Sequence, residues 1–274
     1  MYRLTKTMIL DQLASQGLAP SRALGQNFLV DANIVDKIIS LAQLERGDKV
    51  VEVGPGLGSL TVALAQACDS VVAVELDRHV LELLSQNLEA AGVIDNVEVI
   101  NVDALELDWS EVLSGPTKLI ANLPYNIATP LVLELLKSQP DISEMLVMVQ
   151  LEAGQRLAAG PGSKIYGIPS VITSYWATAE VVARIPASVF VPEPRVESCL
   201  VRIKRKDREL AGAAYEQFES LVRSAFGKRR KMIRASIGDR LSVEVLESAG
   251  LDGTERPETI DVDTWVQLTS AIIG

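Results

Sequence analysis

Glu52-Val53-Gly54-Pro55-Gly56-Leu57-Gly58 decides the fold of this chain. It follows the β-branched run Lys49–Val53, which reads as a buried strand, and it opens Ser59–Ala67, which has helical spacing. A dinucleotide fingerprint needs glycines at the first, third and sixth positions, but position 59 is Ser. The spacing here is instead G-x-G-x-G. Glycines at a strand-to-helix turn permit positive φ and let backbone approach a ligand closely. Pro55 lacks an N–H donor, which argues against a pyrophosphate cradle. A nucleoside-like ligand fits better; the competing reading is a plain tight turn.

Outward from this turn the chain alternates strand and helix. Strands are expected at 70–75, 97–102, 118–121 and 144–150, and helices at 33–41, 78–91 and 129–138. Such alternation means a doubly wound, mostly parallel sheet. Strands at 181–185 and 197–204, separated by the Pro186–Pro194 loop, predict an antiparallel hairpin closing it. Beyond Asp207 only helices are expected, at 213–225, 229–237, 243–249 and 262–272. The expected domains are therefore an α/β domain over 1–207 and a small all-helical domain over 208–274.

Ligands of open α/β sheets bind at the carboxyl ends of strands. Glu75, ending the second strand, is placed to accept two ribose hydroxyls, and Asp103, ending the third, to accept from an adenine amino group. Either acid also suits an ordinary strand end. Asn122-Leu123-Pro124-Tyr125 ends the fourth strand and suits methylation of an aromatic amine. The exocyclic nitrogen of adenine is a poor nucleophile because its lone pair is delocalised into the ring. The Asn122 side-chain oxygen and the Leu123 carbonyl could accept its two hydrogens and aim the lone pair. Pro124 fixes the backbone, and Tyr125 offers a stacking face. A base held this way has left its stack. Phe190 is a candidate for the opposite face, or else a core anchor.

Composition bounds the setting. The chain has 274 residues, 48% hydrophobic, with net charge -10 and two cysteines. That supports a sizeable core in a reducing compartment. The start shows no signal-peptide pattern and no apolar run reaches about 18 residues, so a cytoplasmic protein with no membrane partner is expected. The overall charge disfavours nucleic acid, but its distribution does not. Residues 220–238 carry Arg223, Lys228, Arg229, Arg230, Lys231 and Arg234 and no acid. A solvated helix face is the bland reading of that run. His79, the only histidine, reads as a surface residue, and no metal site is expected.

These motifs together resemble the small-subunit (16S) rRNA adenine N6,N6-dimethyltransferases of the KsgA type, along nearly the whole chain. The glycine turn by itself indicates a class I methyltransferase with a Rossmann-like sheet. Leu24-Gly-Gln-Asn-Phe-Leu29 and Asn122-Leu-Pro-Tyr-Asn-Ile-Ala-Thr-Pro130 narrow it to rRNA adenine enzymes. Ala73–Asp77, Asp103–Leu105, Glu152 with Arg156, Pro161–Gly167, Phe190–Ser198 and Ala225–Lys231 extend the likeness. The resemblance implies S-adenosyl-L-methionine as cofactor, held by Gln26, Asn27, Leu29, Gly54, Gly56, Glu75, Asp103 and Asn122; closure of Gln26 and Asn27 over it, as part of a mobile N-terminal segment, is a separate expectation. It implies methylation of two adjacent adenosines near the 3′ end of small-subunit rRNA, within the small ribosomal subunit or its precursor, during assembly. Nothing in the sequence signals an obligate dimer, and a monomer is expected. Erm-type enzymes, which act on large-subunit rRNA, are the nearest alternative family; Lys228–Lys231 in a helical C-terminal domain favours the small-subunit family. Met232 and Arg234 depart from the Thr and Asn common there. A small-molecule or protein methyltransferase would leave the basic run unexplained. A DNA adenine methyltransferase would need a recognition domain larger than the C-terminal segment offers. A non-enzymatic assembly factor would not need a cofactor site.

Replacing Lys228, Arg229 and Arg230 with Ala is expected to weaken RNA binding and to flatten the slope of log K against log salt concentration. An unchanged slope refutes the assignment of this run to phosphate contact.

Overall fold

The computed structural model describes residues 2–21, 24–207, 210, 212–228, 231–238 and 241–273. The chain forms two compact units, one of Met1–Gly154 with Glu180–Lys204, the other of Gln155–Ala179 with Arg205–Gly274.

The first unit begins with α1 (Lys6–Ser15), β1 (Phe28–Leu29) and α2 (Ala32–Ala42). Asp31 caps α2 by accepting from the Asn33 and Ile34 amides. The alternation follows as β2 (Lys49–Val53), α3 (Ser59–Ala67), β3 (Ser70–Glu75), α4 (Leu81–Ala90), β4 (Val97–Asn101), α5 (Trp109–Val112), β5 (Thr117–Asn122), α6 (Ala128–Ser138) and β6 (Ile142–Gln150). Next come α7 (Leu151–Leu157), α8 (Ile168–Trp176), β7 (Ala177–Ile185), β8 (Phe190–Val191) and β9 (Ser198–Arg205).

Seven strands form one sheet in the order β4-β3-β2-β5-β6-β9-β7. The pairs β2–β3, β3–β4, β2–β5 and β5–β6 are parallel. The strand order reverses direction beside β2, so the ends of β2 and β5 border the topological switch point. β9 is antiparallel to β6 and sits between it and β7. The two strands expected as a closing hairpin are thus neighbours in the sheet, with the second of them, β9, on the inner side. Apolar Leu200, Val201 and Ile203 on β9 are each at most 1% exposed, a burial that an edge position would not give. β1 and β8 form a separate two-stranded antiparallel ribbon, Phe28 opposite Val191 and Leu29 opposite Phe190. α3 is buried at every position from Leu60 to Ala65, packed into the core beside β3.

The second unit is built on helices, with α9 (Ala213–Gly227), α10 (Ile233–Ile237), α11 (Val243–Ser248) and α12 (Val262–Ile273) joining α8. Tyr175 and Trp176 of α8 pack on Tyr215 and Phe218 of α9, with ring centroids as close as 4.7 Å. This aromatic packing draws residues 155–179 into the helical unit, although the sequence reading had put them in the first domain. The helix expected at 229–237 is shorter, starting at Ile233.

Gly154 on α7 lies against β6 and β9, where an added Cβ would stand 2.3 Å from Cys199 Sγ and 2.7 Å from Val201 Cγ2. These neighbours are buried and cannot swing away. Gly154→Ala is expected to cost about 1–3 kcal/mol in chemical denaturation. A cost near zero would contradict this packing.

Candidate functional site

The residues singled out on strand ends converge on one cleft in the first unit. It is lined by the glycine turn after β2, Glu75 and Leu76 after β3, Asp103 and Ala104 after β4, Asn122–Ile127 after β5, and the entry segment Leu24–Leu29. Convergence follows from parallel pairing, which brings the carboxyl ends of β2, β3, β4 and β5 to one edge.

The glycines are required twice over. Gly54 and Gly56 have φ of 74° and 57°. A Cβ on Gly54 would lie 3.1 Å from the Pro124 ring, and one on Gly56 would lie 2.9 Å from the Phe28 ring. The turn is therefore squeezed between the Asn-Leu-Pro-Tyr segment and the entry segment, with its backbone bared to the cleft.

Glu75 is 6% exposed, and its two oxygens accept separately from the Gly56 amide at 3.0 Å and the Asp77 amide at 2.8 Å. Each oxygen keeps a further lone pair for a ligand hydroxyl. Burial pushes its pKa up against those amides, which favour the charged form. Asp103 Oδ1 accepts from the Leu105 amide at 2.9 Å, and Oδ2 has no partner among the described residues. The residues present fit an S-adenosylmethionine-type cofactor: a bared glycine turn, a paired acceptor for a diol and a single acceptor for an amine.

Asn122 supplies the clearest geometry. Its amide nitrogen donates to the Asn27 carbonyl at 3.1 Å. Its oxygen accepts nothing among the described residues and is left to the cleft. The Leu123 amide donates to the Met148 carbonyl at 3.1 Å, which anchors the segment to β6. Pro124 carries the first carbonyl of the α6 entry, accepting from Ile127 and Ala128. Tyr125 is half-buried, lines the cleft and holds its hydroxyl 2.6 Å from Ser198 Oγ.

Of the entry segment, Gln26 accepts from the Ser21 amide and donates to Asp77 Oδ2, both at 2.7 Å. Asn27 receives Asn122, and Leu29 is buried on β1 at the cleft wall.

Phe190 is a correction. It is 1% exposed, paired with Leu29 and packed in the main core, and it does not line the cleft. A ring closed in on both faces has none to offer a purine, so the core-anchor reading applies. In the second unit Arg223 pairs with Glu219 at 2.6 Å in an i,i+4 ion pair, while Lys228 and Lys231 are exposed. Arg229 and Arg230 lie outside the described residues. His79 is exposed. Asp77, Phe28 and Glu52 stand inside the quoted motifs, but the sequence assigns them no part of their own, because those parts depend on partners far along the chain.

Glu52 is buried at 1% exposure on β2, beside the cleft. Burial, with the Glu75 charge adding to it, pushes its pKa up to about 8. An unfolded glutamate titrates near about 4.3. Between those values the folded chain keeps a proton that the unfolded chain has released, so this group's share of stability falls as pH rises through that window. The urea midpoint of the wild type is expected to drop more from pH 6 to pH 8 than that of Glu52→Gln. Equal drops would contradict the burial.

A model of the ribosomal RNA adenine dimethylase family matches residues 20–273. The chain is 38% identical to ribosomal RNA small subunit methyltransferase A of Clostridioides difficile (strain 630), over 92% of this chain and 90% of that one. It is 41% identical to the protein of the same name from Nocardia farcinica (strain IFM 10152), over 93% of this chain and 90% of that one. Among solved structures, the 23S rRNA methyltransferase ErmE superposes with TM-score 0.70 at 27% identity, covering 90% of this chain and 100% of that one. A dimethyladenosine transferase from Plasmodium falciparum shares the fold at TM-score 0.77 and 23% identity, covering 88% and 95%. With the cleft's geometry and a match across nearly its whole length, the chain belongs to the ribosomal RNA adenine dimethylase family, on a class I methyltransferase fold.

Proposed function

We propose that this protein transfers methyl groups from S-adenosyl-L-methionine to N6 of two adjacent adenosines near the 3′ end of small-subunit (16S) rRNA, giving N6,N6-dimethyladenosine during assembly of the small ribosomal subunit in the cytoplasm. The carrying observation is the Asn122 amide, whose nitrogen is spent on Asn27 so that its oxygen faces the cleft. The names of the relatives at 38% and 41% identity support the small-subunit target. Among the described residues no helix is long and apolar enough to cross a membrane.

The chemistry asks little acid or base strength of the protein. When bound, the cofactor supplies a methyl group already activated on a sulfonium. Glu75, Asp103 and the Gly54–Gly58 turn would hold it, with Gln26, Asn27 and Leu29 walling the cleft. Asn122 Oδ1 and the Leu123 carbonyl accept the two amino hydrogens of the target adenine. That draws its nitrogen toward pyramidal geometry and frees the lone pair. Tyr125 supports the base plane, and α6, starting just beyond Tyr125, holds the loop still. The rate then comes from holding the reacting atoms in line, and the displaced proton leaves to water. Lys228 and Lys231, both exposed, suit phosphate contact, with Arg229 and Arg230 as the rest of that basic run. The protein acts as a monomer in this reading.

The decisive assay incubates small subunits lacking the modification with labelled cofactor and maps the methylated nucleosides. Dimethyladenosine at two adjacent small-subunit positions is expected; label in large-subunit RNA would overturn the reading. Asn122→Ala is expected to slow transfer at least about 100-fold, the scale on which losing one aimed polar group acts, with a much smaller loss of cofactor affinity. Equal losses would make Asn122 a cofactor ligand only.

A further inference from the structure

Ser198 closes the Phe190–Ser198 motif and opens β9, opposite Gln150 at the end of β6. It is 0% exposed, yet its side chain is polar. A buried hydroxyl is costly unless paired. The partner is Tyr125, 2.6 Å away, within the range of a good O–H···O bond. No other side-chain hydrogen bond to either hydroxyl is found among the described residues.

This bond reaches 73 residues along the chain to hold the far tip of one ring. A tyrosine turns about two single bonds, so a ring fixed only at its Cα can still sweep. The hydroxyl oxygen lies on the ring's long axis, so holding it as well fixes where that axis points, and the in-plane preference of the phenolic O–H favours one rotation about it. Tyr125 lines the cleft while its hydroxyl is held by the protein. The Leu123 amide is tied to Met148 of β6 in the same way. Both ends of the Leu-Pro-Tyr segment are thus referred to neighbouring strands, β6 and β9, which are themselves paired from Glu144–Lys204 to Gln150–Ser198. Acceptors at Asn122 and Leu123 can meet the two amino hydrogens of an adenine only if the purine lies in the plane that they share.

We propose that Ser198 is a positioning residue: through its hydroxyl bond to Tyr125 it fixes the axis, and so the placement, of the ring against which the target base lies. The proposal rests on the reading of Tyr125 as the base platform. Ser198 touches neither base nor cofactor in this scheme, so its loss acts only through Tyr125.

The test is a double-mutant cycle on methyl transfer to unmodified small subunits, with melting temperature and cofactor affinity measured for each protein. Ser198→Ala is expected to lower kcat/KM about tenfold, the scale of one hydrogen bond to a neutral group, while cofactor affinity is unchanged. Tyr125→Phe keeps the ring, loses the bond and is expected to match it. Ser198→Ala in the Tyr125→Phe background is expected to cost nothing more, and Ser198→Thr, which keeps the hydroxyl, to restore activity. Full activity in Ser198→Ala, or two losses that multiply, would overturn the proposal. So would a loss that tracks melting temperature or cofactor affinity, since that marks a merely structural serine. Absence of label from small-subunit RNA with the wild type would instead refute the function proposed above, which separates the two failures.

Discussion

The hydrogen bond from the Asn122 amide to the Asn27 carbonyl is the constraint on which the site depends. An asparagine side chain has a donor end and an acceptor end, and committing one commits the direction of the other. Because the NH2 group faces the entry segment, the oxygen faces the cleft. The same bond ties the tip of β5 to a segment 95 residues earlier in the chain, so the wall of the cleft and its chemical edge are set together. The glycine turn completes the arrangement. It fits between Pro124 and Phe28 only because Gly54 and Gly56 carry no Cβ.

Elements with strong local signals were legible in the sequence. β2 and β3 fall where buried β-branched runs placed them, and the expected strand-end groups Glu75, Asp103 and Asn122 do line one cleft. Parallel pairing makes that convergence nearly automatic once the strands are assigned. Elements whose cause is tertiary were not legible. β1 and β8 have two residues each, too few for any period to show. The insertion of β9 beside β6 depends on packing rather than on pattern. Residues 155–179 join the helical unit through rings on α8 and α9 that lie about 40 residues apart in the chain. Phe190 looks the same in sequence whether it faces a ligand or the core; burial against Leu29 decides it. Gln26, Asn27 and Leu29 carry no local signal and came from the family resemblance alone.

Charge is unevenly distributed along the chain. The chain as a whole is acidic at -10, yet residues 220–238 carry no acid at all. Fields from exposed charges fade within about 8–10 Å at physiological salt. Acids farther away than that therefore do little to offset the exposed Lys228 and Lys231, whereas Arg223 is already paired with Glu219. Within the cleft the balance is different. Glu52 and Glu75 are buried there, and burial pushes both toward the neutral form. A cationic ligand would favour their charged forms in return.

The most direct measurement is a crystal structure of the protein with S-adenosyl-L-homocysteine and adenosine. The adenosine N6 is expected within hydrogen-bond distance of Asn122 Oδ1 and the Leu123 carbonyl, with the purine lying on the Tyr125 ring. An amino group turned away from both oxygens, or a purine lodged elsewhere than over Tyr125, would contradict the role given to the tip of β5.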